Sequence, residues 1–359
     1  MPSVDVTLGE RSYRVIIEPD ALGDAAAWRS LAGQRALLVV TNEVVAPLYL
    51  ERVCVALDGA NVHTLVLPDG EHVKTADNWM RIIDRLVEIK AGRDACLVAL
   101  GGGVIGDLCG FAAATYMRGV DFIQVPTTLL AQVDAAVGGK TAINHPGGKN
   151  LVGAFHQPLA VIADTRTLET LPGRHFRAGL AEVVKYGAIR DAEFLRWLED
   201  HADAILGQDP ECLGQLIETC VRHKAAVVAA DERESGQRAL LNFGHSFGHA
   251  LEVLSGYQEY LHGEAVSIGM AIAARLSEQR GLCPGGHTRR ITALLSAFDL
   301  PLTLPSRIGT RELLGAMVLD KKNQGGQARL ILLAELGRAI IDTKSTSEEI
   351  SAAIDACRT

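Results

Sequence analysis

The segment CLVALGGGVIGD, residues 96–107, decides the fold class. Its first five residues form an apolar run typical of a buried strand, and a helical pattern follows. Gly101, Gly103 and Gly106 fit G-x-G-x-x-G, which lets the backbone approach a phosphate beside the unpaired N–H groups of a helix start. The segment therefore predicts a phosphate or dinucleotide site, with a tight strand–helix turn as the alternative. It lies outside the first strand–helix unit, where an ordinary dinucleotide-binding domain has this pattern.

Strand and helix patterns alternate around this segment. Thr75–Lys90 carries apolar residues at helical spacing, and a hairpin pattern stands at the beginning of the chain. Alternation of this kind predicts an α/β domain with a Rossmann-like parallel sheet and helices on its faces. The expected strands are Ser3–Leu8, Tyr13–Glu18, Ala36–Thr41, Val62–Leu67, Cys96–Leu100, Phe122–Val125 and Ala160–Ala163.

The second half of the chain is mainly helical in its pattern. One strand pair, Arg329–Ala334 with Arg338–Asp342, interrupts it near the end. We expect an α/β domain over residues 1–174 and a mainly α-helical domain over 175–359. The expected helices are Phe176–Asp200, Cys212–Ala230, Leu240–Ser255, Glu264–Arg280 and His287–Phe298.

Composition excludes several classes of protein. The chain has 359 residues, with 35 basic and 43 acidic side chains, a net charge of −8 and no basic run, which excludes a dedicated nucleic-acid binder. No charge-free stretch of 18 apolar residues occurs, so we expect no membrane span. The N-terminal sequence MPSVDVTLGERSYRV lacks a charged region followed by an apolar one, so we expect no signal peptide. Seven cysteines without C-x-x-C spacing are typical of a cytoplasmic protein with reduced thiols. Lysine is scarce, so most of the positive charge is arginine.

A second glycine-rich stretch begins at Gly138 and ends near Asn150. Its Gly-Gly-Lys-Thr resembles a nucleotide triphosphate loop, but Asp134 stands where that loop needs glycine, which excludes this interpretation. Lys140 and Lys149 on flexible backbone favour an anionic ligand, with a mobile surface loop as the alternative. Asp134 itself lies in an apolar segment, so its carboxylate needs a partner or a function.

Histidines in the second half indicate a metal site. His245 and His249 are four residues apart and share one helix face, and His262 follows. A catalytic zinc site requires three N or O ligands and one open coordination position. Glu182 is the best candidate for a carboxylate ligand. The alternative for Glu182 is an exposed pair with Lys185. Spacing alone leaves the choice among these ligands open.

Together these motifs resemble the 3-dehydroquinate synthase family. The similarity runs in family order from about residue 35 to 335. The residues that carry it are 101–107, 116–119, 125–134, 138–155, 179–187, 238–249 and 261–266.

The resemblance implies an NAD-dependent carbon–oxygen lyase that also needs Zn²⁺ or Co²⁺. Its substrate would be 3-deoxy-D-arabino-heptulosonate 7-phosphate (DAHP), converted to 3-dehydroquinate and phosphate. NAD would oxidise the C5 hydroxyl, phosphate would leave, C5 would be reduced again, and an aldol step would close the ring. A ketone at C5 acidifies the neighbouring C–H, and a divalent ion polarises that oxygen.

The resemblance also implies roles for individual residues. The metal ligands would be Glu182, His245 and His262. The NAD contacts would be Asn42, Asp69, Gly70, Glu71, His72, Val73, Lys74, Gly103, Val104, Ile105, Gly106, Asp107, Thr127, Thr128, Lys140, Lys149, Thr167, Leu168, Glu169 and Thr170. The substrate contacts would be Arg118, Asp134, Lys140, Asn150, Lys185, Lys224, Arg238, Asn242, His249 and either Lys321 or Lys322. Arg118 would reach the neighbouring subunit's site, which implies a homodimer.

Three other functions remain as alternatives. One is another sugar-phosphate cyclase, acting on sedoheptulose 7-phosphate or glucose 6-phosphate. The second is a polyol dehydrogenase of the glycerol dehydrogenase type, which would release NADH. The third is a metal-stabilised NAD-sensing or scaffold protein. Arg238, Asn242, His249 and the Lys321–Lys322 pair favour DAHP, since relatives should differ at positions that face carboxylate and phosphate.

Overall fold

The structure is a computed structural model, and it describes residues 3–33, 35–234, 236–321 and 329–358. The chain divides into two compact units. Unit 1 consists of Met1–Leu171 and Leu213–Arg233, and unit 2 consists of Pro172–Cys212 and Glu234–Thr359. A segment beyond residue 174 thus packs with the first part of the chain.

Unit 1 is built on a seven-stranded sheet with the strand order β1-β2-β9-β6-β5-β3-β4. β1 pairs with β2 in the antiparallel sense, and the other pairs of neighbours are parallel. The strands are β1 Ser3–Val6, β2 Tyr13–Glu18, β3 Ala36–Asn42, β4 Asn61–Leu67, β5 Cys96–Gly101, β6 Asp121–Pro126 and β9 Ala160–Asp164.

Helices cover both faces of this sheet. One face carries Leu38 and Leu97, which belong to the same buried cluster as Leu108. The other face carries Leu37, which packs in a cluster with Trp28. Because both faces are buried, the central strands are apolar at nearly every position, which is why they were visible in the sequence. The helices of unit 1 are α1 Ala25–Ala32, α2 Glu51–Ala56, α3 Ala76–Glu88, α4 Gly103–Thr115 and most of α8 Pro210–Ala230.

The glycine-rich stretch after Val137 is largely a β-hairpin rather than the flexible loop expected from its glycines. β7 Lys140–His145 pairs with β8 Gly148–Phe155 in the antiparallel sense. Gly153 is required there, because a Cβ at this position would lie 2.2 Å from the Thr141 carbonyl oxygen. The hairpin thus holds the lysines of this stretch on defined backbone.

Unit 2 is mainly helical. The single helix expected over Phe176–Asp200 is two helices, because Asp191 is extended and its carboxylate caps the second one by accepting from the Glu193 and Phe194 amides at 3.1 and 2.9 Å. Among the described residues, no helix is long and apolar enough to cross a membrane. The elements of unit 2 are α5 Gly173–Arg190, α6 Ala192–Asp200, α7 Ala202–Leu206, α9 His245–Leu254, α10 His262–Gln279, α11 His287–Ala297, α12 Thr310–Lys321, α13 Ser347–Asp355, β10 Leu330–Glu335 and β11 Arg338–Asp342.

Glycines bring three helices of unit 2 into backbone contact. A Cβ on Gly269 of α10 would lie 2.0 Å from the Gly244 carbonyl oxygen, at the start of α9. A Cβ on Gly263 would lie 1.8 Å from the carbonyl oxygen of Ala178 on α5. Since α10 is almost entirely buried, these contacts fix the spacing of α5, α9 and α10.

We predict that Gly269→Ala destabilises the protein by about 2 kcal/mol or more, because overpacking against backbone outweighs the gain in helix propensity. Gly214→Ala is the matched control, since Gly214 also lies within a helix and its Cβ would meet open space. The control should gain roughly 0.5 to 1 kcal/mol. Urea denaturation followed by circular dichroism measures both changes, and equal midpoints for the two variants would contradict the packing argument.

Candidate active site

The residues expected to bind NAD follow the carboxyl ends of five parallel strands in unit 1. The chain reverses its order at β3, which has β4 on one side and β5 on the other. Open parallel sheets bind ligands outside the strand ends at such a switch point. The groups are Asn42 at the end of β3, residues 69–74 after β4, residues 103–107 after β5, Thr127 and Thr128 after β6, and Thr167, Leu168, Glu169 and Thr170 in the 3-10 turn after β9.

Glycines at the end of β5 make a close strand–helix turn. A Cβ on Gly102 would lie 3.1 Å from the Thr128 side chain, and one on Gly106 would lie 2.7 Å from Gln124 Oε1. α4 begins at Gly103, so its first amides are directed to the carboxyl edge of the sheet. The glycines therefore form a tight packing element, and anion binding at this helix start stays a prediction.

Lys74 links the segment after β4, which is expected to bind NAD, to the β7–β8 hairpin. Its side chain is buried, pairs with Asp107, and donates to Asn150 Oδ1 at 2.5 Å. Burial raises the pKa of Asp107, and the Lys74 ammonium opposes this shift. The ion pair with Lys74 thus favours the charged form of Asp107 against the effect of burial.

Asn144 is a residue of this region that sequence reasoning missed. Its backbone N–H donates to the Lys74 carbonyl at 2.8 Å, and its side chain donates to Glu71 Oε1 at 2.8 Å. Its Oδ1 accepts from the Asn150 amide at 3.0 Å, where Asn150 has a left-handed φ of 55°. One amide side chain therefore holds both segments. Asn144 lies within the glycine-rich stretch, but nothing in the sequence assigned it a role.

Asp134 has the partner that its apolar surroundings required. It lies in the turn Ala131–Ala135 and forms an ion pair with Lys224 of α8, whose ammonium also donates to the Asp134 carbonyl at 2.6 Å. Lys224 is 6% exposed. Because α8 belongs to unit 1 by packing, this pair is internal to one unit.

Three further residues of unit 1 are expected to contact ligands: Lys140 for both NAD and substrate, Lys149 for NAD, and Arg118 for substrate. Lys140 begins β7 and is exposed, and Lys149 on β8 is half-buried. Arg118 is exposed at the end of a 3-10 turn, with φ of 72°. Left-handed backbone at Arg118 and at the neighbouring Met117, whose φ is 46°, is costly for side chains of this size and is characteristic of functional positions.

Unit 2 brings Glu182, His245 and His262 together. The Nε2 atoms of His245 and His262 lie 3.5 and 3.6 Å from Glu182 Oε1, and the ligand atoms of all three residues lie within 4.8 Å of one another. Ligands at 2.0–2.2 Å around a tetrahedral ion are separated by about 3.4 Å. The spacing and the N,N,O donor set therefore fit a divalent metal. The exposed surface pair considered for Glu182 is wrong, since Glu182 and Lys185 are 0% and 1% exposed.

Both imidazoles are held through their other nitrogen. His245 Nδ1 lies 3.2 Å from the Phe243 carbonyl oxygen, and His262 Nδ1 lies 3.3 Å from Glu252 Oε2. Such contacts fix the tautomer and leave Nε2 for the metal. A second set of possible ligands, His249 with Glu252 and His262, lies beside the first.

The electrostatics of this cluster favour a cation. Burial lowers the pKa of His245 to about 3, against the attraction of Glu182, so this imidazole is neutral and keeps a lone pair. Burial also acts to lower the pKa of His262, but hydrogen bonds with Glu182 and Glu252 outweigh it and raise that pKa to about 10. Positive charge between the carboxylates of Glu182 and Glu252, from a proton or from a metal ion, is therefore favoured.

Four further residues expected to contact the substrate lie close in sequence to the metal ligands. Lys185 pairs with Glu182 on α5, and Arg238 is 2% exposed in the 3-10 turn Gln237–Asn242. His249 lies one turn after His245, with their ring centroids 5.3 Å apart. Asn242 donates to Glu234 Oε1 at 2.8 Å, and Glu234 is a second residue that sequence reasoning missed. Lys322 and the Lys321 side chain lie outside the described residues.

Solved structures with this fold hold NAD⁺ and a divalent metal. The 2-epi-5-epi-valiolone synthase of Streptomyces hygroscopicus subsp. jinggangensis 5008, with NAD⁺ and Zn²⁺ bound, is 30% identical, with a TM-score of 0.90 and 98% of each chain covered. A 2-deoxy-scyllo-inosose synthase complexed with carbaglucose-6-phosphate, NAD⁺ and Co²⁺ is 26% identical, with a TM-score of 0.89 and coverage of 99% of this chain and 100% of that one. The fold is thus that of the sugar-phosphate cyclase class, and the expected fold class is confirmed.

Sequence comparison narrows the class to one family. Models of the 3-dehydroquinate synthase N-terminal and C-terminal regions match residues 64–178 and 179–323. The curated 3-dehydroquinate synthase of Halorhodospira halophila (strain DSM 244 / SL1) is 53% identical over 346 residues, which cover 96% of this chain and 97% of that protein. The chain belongs to the 3-dehydroquinate synthase family, as its motifs indicated.

We predict that Lys224→Met lowers the stability of the protein by about 2–4 kcal/mol, because it leaves the Asp134 carboxylate largely buried without its ammonium partner. Arg222→Met on the same helix is the matched control, since Arg222 pairs with Glu218 at the surface and such pairs contribute about 0–1 kcal/mol. Thermal unfolding of both variants measures the difference. Equal melting temperatures would contradict a structural role for the Asp134–Lys224 pair.

Proposed function

We propose that this chain is a 3-dehydroquinate synthase, which converts DAHP to 3-dehydroquinate and phosphate with NAD⁺ and one divalent metal. Membership of the family supports the reaction. Within the structure, the observation that carries the proposal is the buried cluster of Glu182, His245 and His262, because it fits a catalytic metal with an open coordination position.

Two bound groups would supply chemistry that side chains lack. NAD⁺, at the carboxyl edge of the unit 1 sheet, would take a hydride from C5 and return it, so each turnover is redox-neutral. A divalent ion, held by Glu182, His245 and His262, would polarise a substrate oxygen as a Lewis acid. Loss of phosphate and the aldol closure then give one phosphate and one 3-dehydroquinate from each DAHP.

The chain's own residues would bind and orient an anionic substrate. DAHP carries a carboxylate and a phosphate, and cations at Lys140, Lys185, Lys224 and Arg238 supply compensating charge within a chain of net charge −8. Lys185 and Lys224 are fixed by pairing with carboxylates, so little side-chain entropy remains to be lost when substrate binds. His249, one helical turn from a metal ligand, is suited to the phosphate.

The alternatives differ in their products. The solved structures at 30% and 26% identity are synthases of other products. The curated relatives at 53% identity are 3-dehydroquinate synthases, which favours DAHP as the substrate of this chain. A polyol dehydrogenase would accumulate NADH, whereas the proposed reaction releases phosphate without net reduction of NAD⁺.

We expect metal-loaded protein with DAHP and NAD⁺ to release phosphate and 3-dehydroquinate in equal amounts, with no NADH remaining. Chelation of the metal should abolish turnover, and added Zn²⁺ or Co²⁺ should restore it, because a side-chain cation cannot coordinate and polarise a substrate oxygen as a divalent ion does. Phosphate release, product absorbance and NADH absorbance are followed together. Stable NADH without phosphate would refute the proposal.

We further propose that the protein works as a cytoplasmic homodimer in which Arg118 serves the partner subunit's site. Arg118 is exposed on strained backbone, and Met117 beside it is 42% exposed, which suits a contact with another chain. All seven cysteines, each within the described residues, are free thiols, in agreement with a reducing compartment.

A mixing experiment tests the action of Arg118 on the partner subunit. Arg118→Ala and His262→Ala homodimers should each be almost inactive, but exchange of their subunits should restore about one quarter of wild-type activity, since half of the dimers then hold one intact site of two. A mixture of Lys185→Ala with His262→Ala is the control. Both residues contact Glu182 of their own chain, so no pairing of these two subunits contains an intact site. No recovery in the first mixture would contradict the proposal.

A further inference from the structure

We infer that Glu252 is a positioning residue for the metal ligand His262. The inference rests on the proposed function, because it concerns the metal site described above. Glu252 is 4% exposed and lies on α9, seven residues after His245 and three after His249. Residues at i, i+4 and i+7 share one face of a helix, so α9 presents one ligand and Glu252 from a single stripe.

The two nitrogens of His262 lie between two carboxylates. Nδ1 is 3.3 Å from Glu252 Oε2, and Nε2 is 3.6 Å from Glu182 Oε1. When Nδ1–H donates to Glu252, the imidazole is held as the tautomer whose Nε2 lone pair is directed to Glu182 and the metal position. A carboxylate acceptor also increases the basicity of the ring, which strengthens Nε2 as a ligand.

His262 needs this support more than His245 does. His245 is 8% exposed, and the acceptor for its Nδ1 is the backbone carbonyl of Phe243, two residues away in sequence. The His262 side chain is 30% exposed and begins α10, and the acceptor near its Nδ1 is the Glu252 side chain from another helix. The close approach of α9 and α10 at Gly269 brings the Glu252 carboxylate within reach.

Glu252 is better suited to orientation than to coordination. In the set Glu182, His245 and His262, both imidazoles present Nε2 and have Nδ1 held by an acceptor. Coordination by Glu252 would instead direct Nδ1 of His262 to the metal and would leave Glu182, the fully buried carboxylate, outside the site. Glu252 therefore acts through His262.

The test measures zinc affinity by competition with a chromophoric chelator, using full-length metal-free protein. We expect Glu252→Ala to bind one Zn²⁺ with 10- to 100-fold lower affinity than wild type, the loss typical when an outer partner of a histidine ligand is removed. Glu252→Gln retains an oxygen acceptor for Nδ1–H and should recover most of the loss. Substituted Co²⁺ should give the same ligand-field spectrum in wild type and both variants, because the three ligands are unchanged.

Glu278→Gln is the matched control. Glu278 also lies on unit 2 and accepts a hydrogen bond, from the Thr288 amide at 2.8 Å, but it stands 16 residues along α10 from His262, about 24 Å away. Its zinc affinity should equal that of wild type, and the metal-free melting temperatures of all variants are compared.

Two outcomes would overturn the inference and leave the proposed function standing. Wild-type zinc affinity in both Glu252 variants would mean that Glu252 does not support His262. A changed Co²⁺ spectrum, with zinc affinity as low as in His262→Ala, would make Glu252 a ligand. Absence of 1:1 zinc binding by wild type would instead refute the proposed metal site itself.

Discussion

The fully buried carboxylate of Glu182 is the constraint on which unit 2 depends. An isolated charge at this depth costs many kcal/mol, so it requires cations around it. Lys185, one turn along α5, supplies one, and the imidazoles on α9 and α10 supply nitrogen donors or a proton. Glycines at the crossing points let the backbones of these helices touch, which brings the imidazoles close to Glu182. The neutralisation of Glu182 therefore depends on the helix packing.

The fold of unit 1 could be predicted because burial on both sheet faces makes its strands continuous apolar runs, which periodicity detects. The β7–β8 hairpin could not, since its glycines satisfy close contacts such as Gly153 against Thr141 yet look like a loop in sequence. The break at Asp191 was hidden for a related reason: a polar cap interrupts a helical pattern that otherwise continues. The local sequence pattern reflects secondary-structure propensity, whereas contacts between residues distant in sequence determine these two features.

The sequence identified some residues of the candidate site in each unit and missed others. Glycine and charge motifs marked the segments at the strand ends, but Asn144 joins two of them through hydrogen bonds that no spacing rule encodes. In unit 2, spacing identified three histidines and left the ligands open, because ligand choice depends on which ring nitrogen faces Glu182. Glu252 was overlooked, since a glutamate in a helix is ordinary until its carboxylate is found against an imidazole.

The distribution of lysine follows from the same physics. Lys74, Lys185 and Lys224 are 4%, 1% and 6% exposed, and each pairs with a carboxylate. An ammonium is a compact point charge on a flexible stem, and it can present that one charge to a phosphate or carboxylate. Burial fixes these ammonium groups before any ligand arrives. An ammonium held in this way is pre-organised, so little side-chain entropy remains to be lost when an anion binds to it.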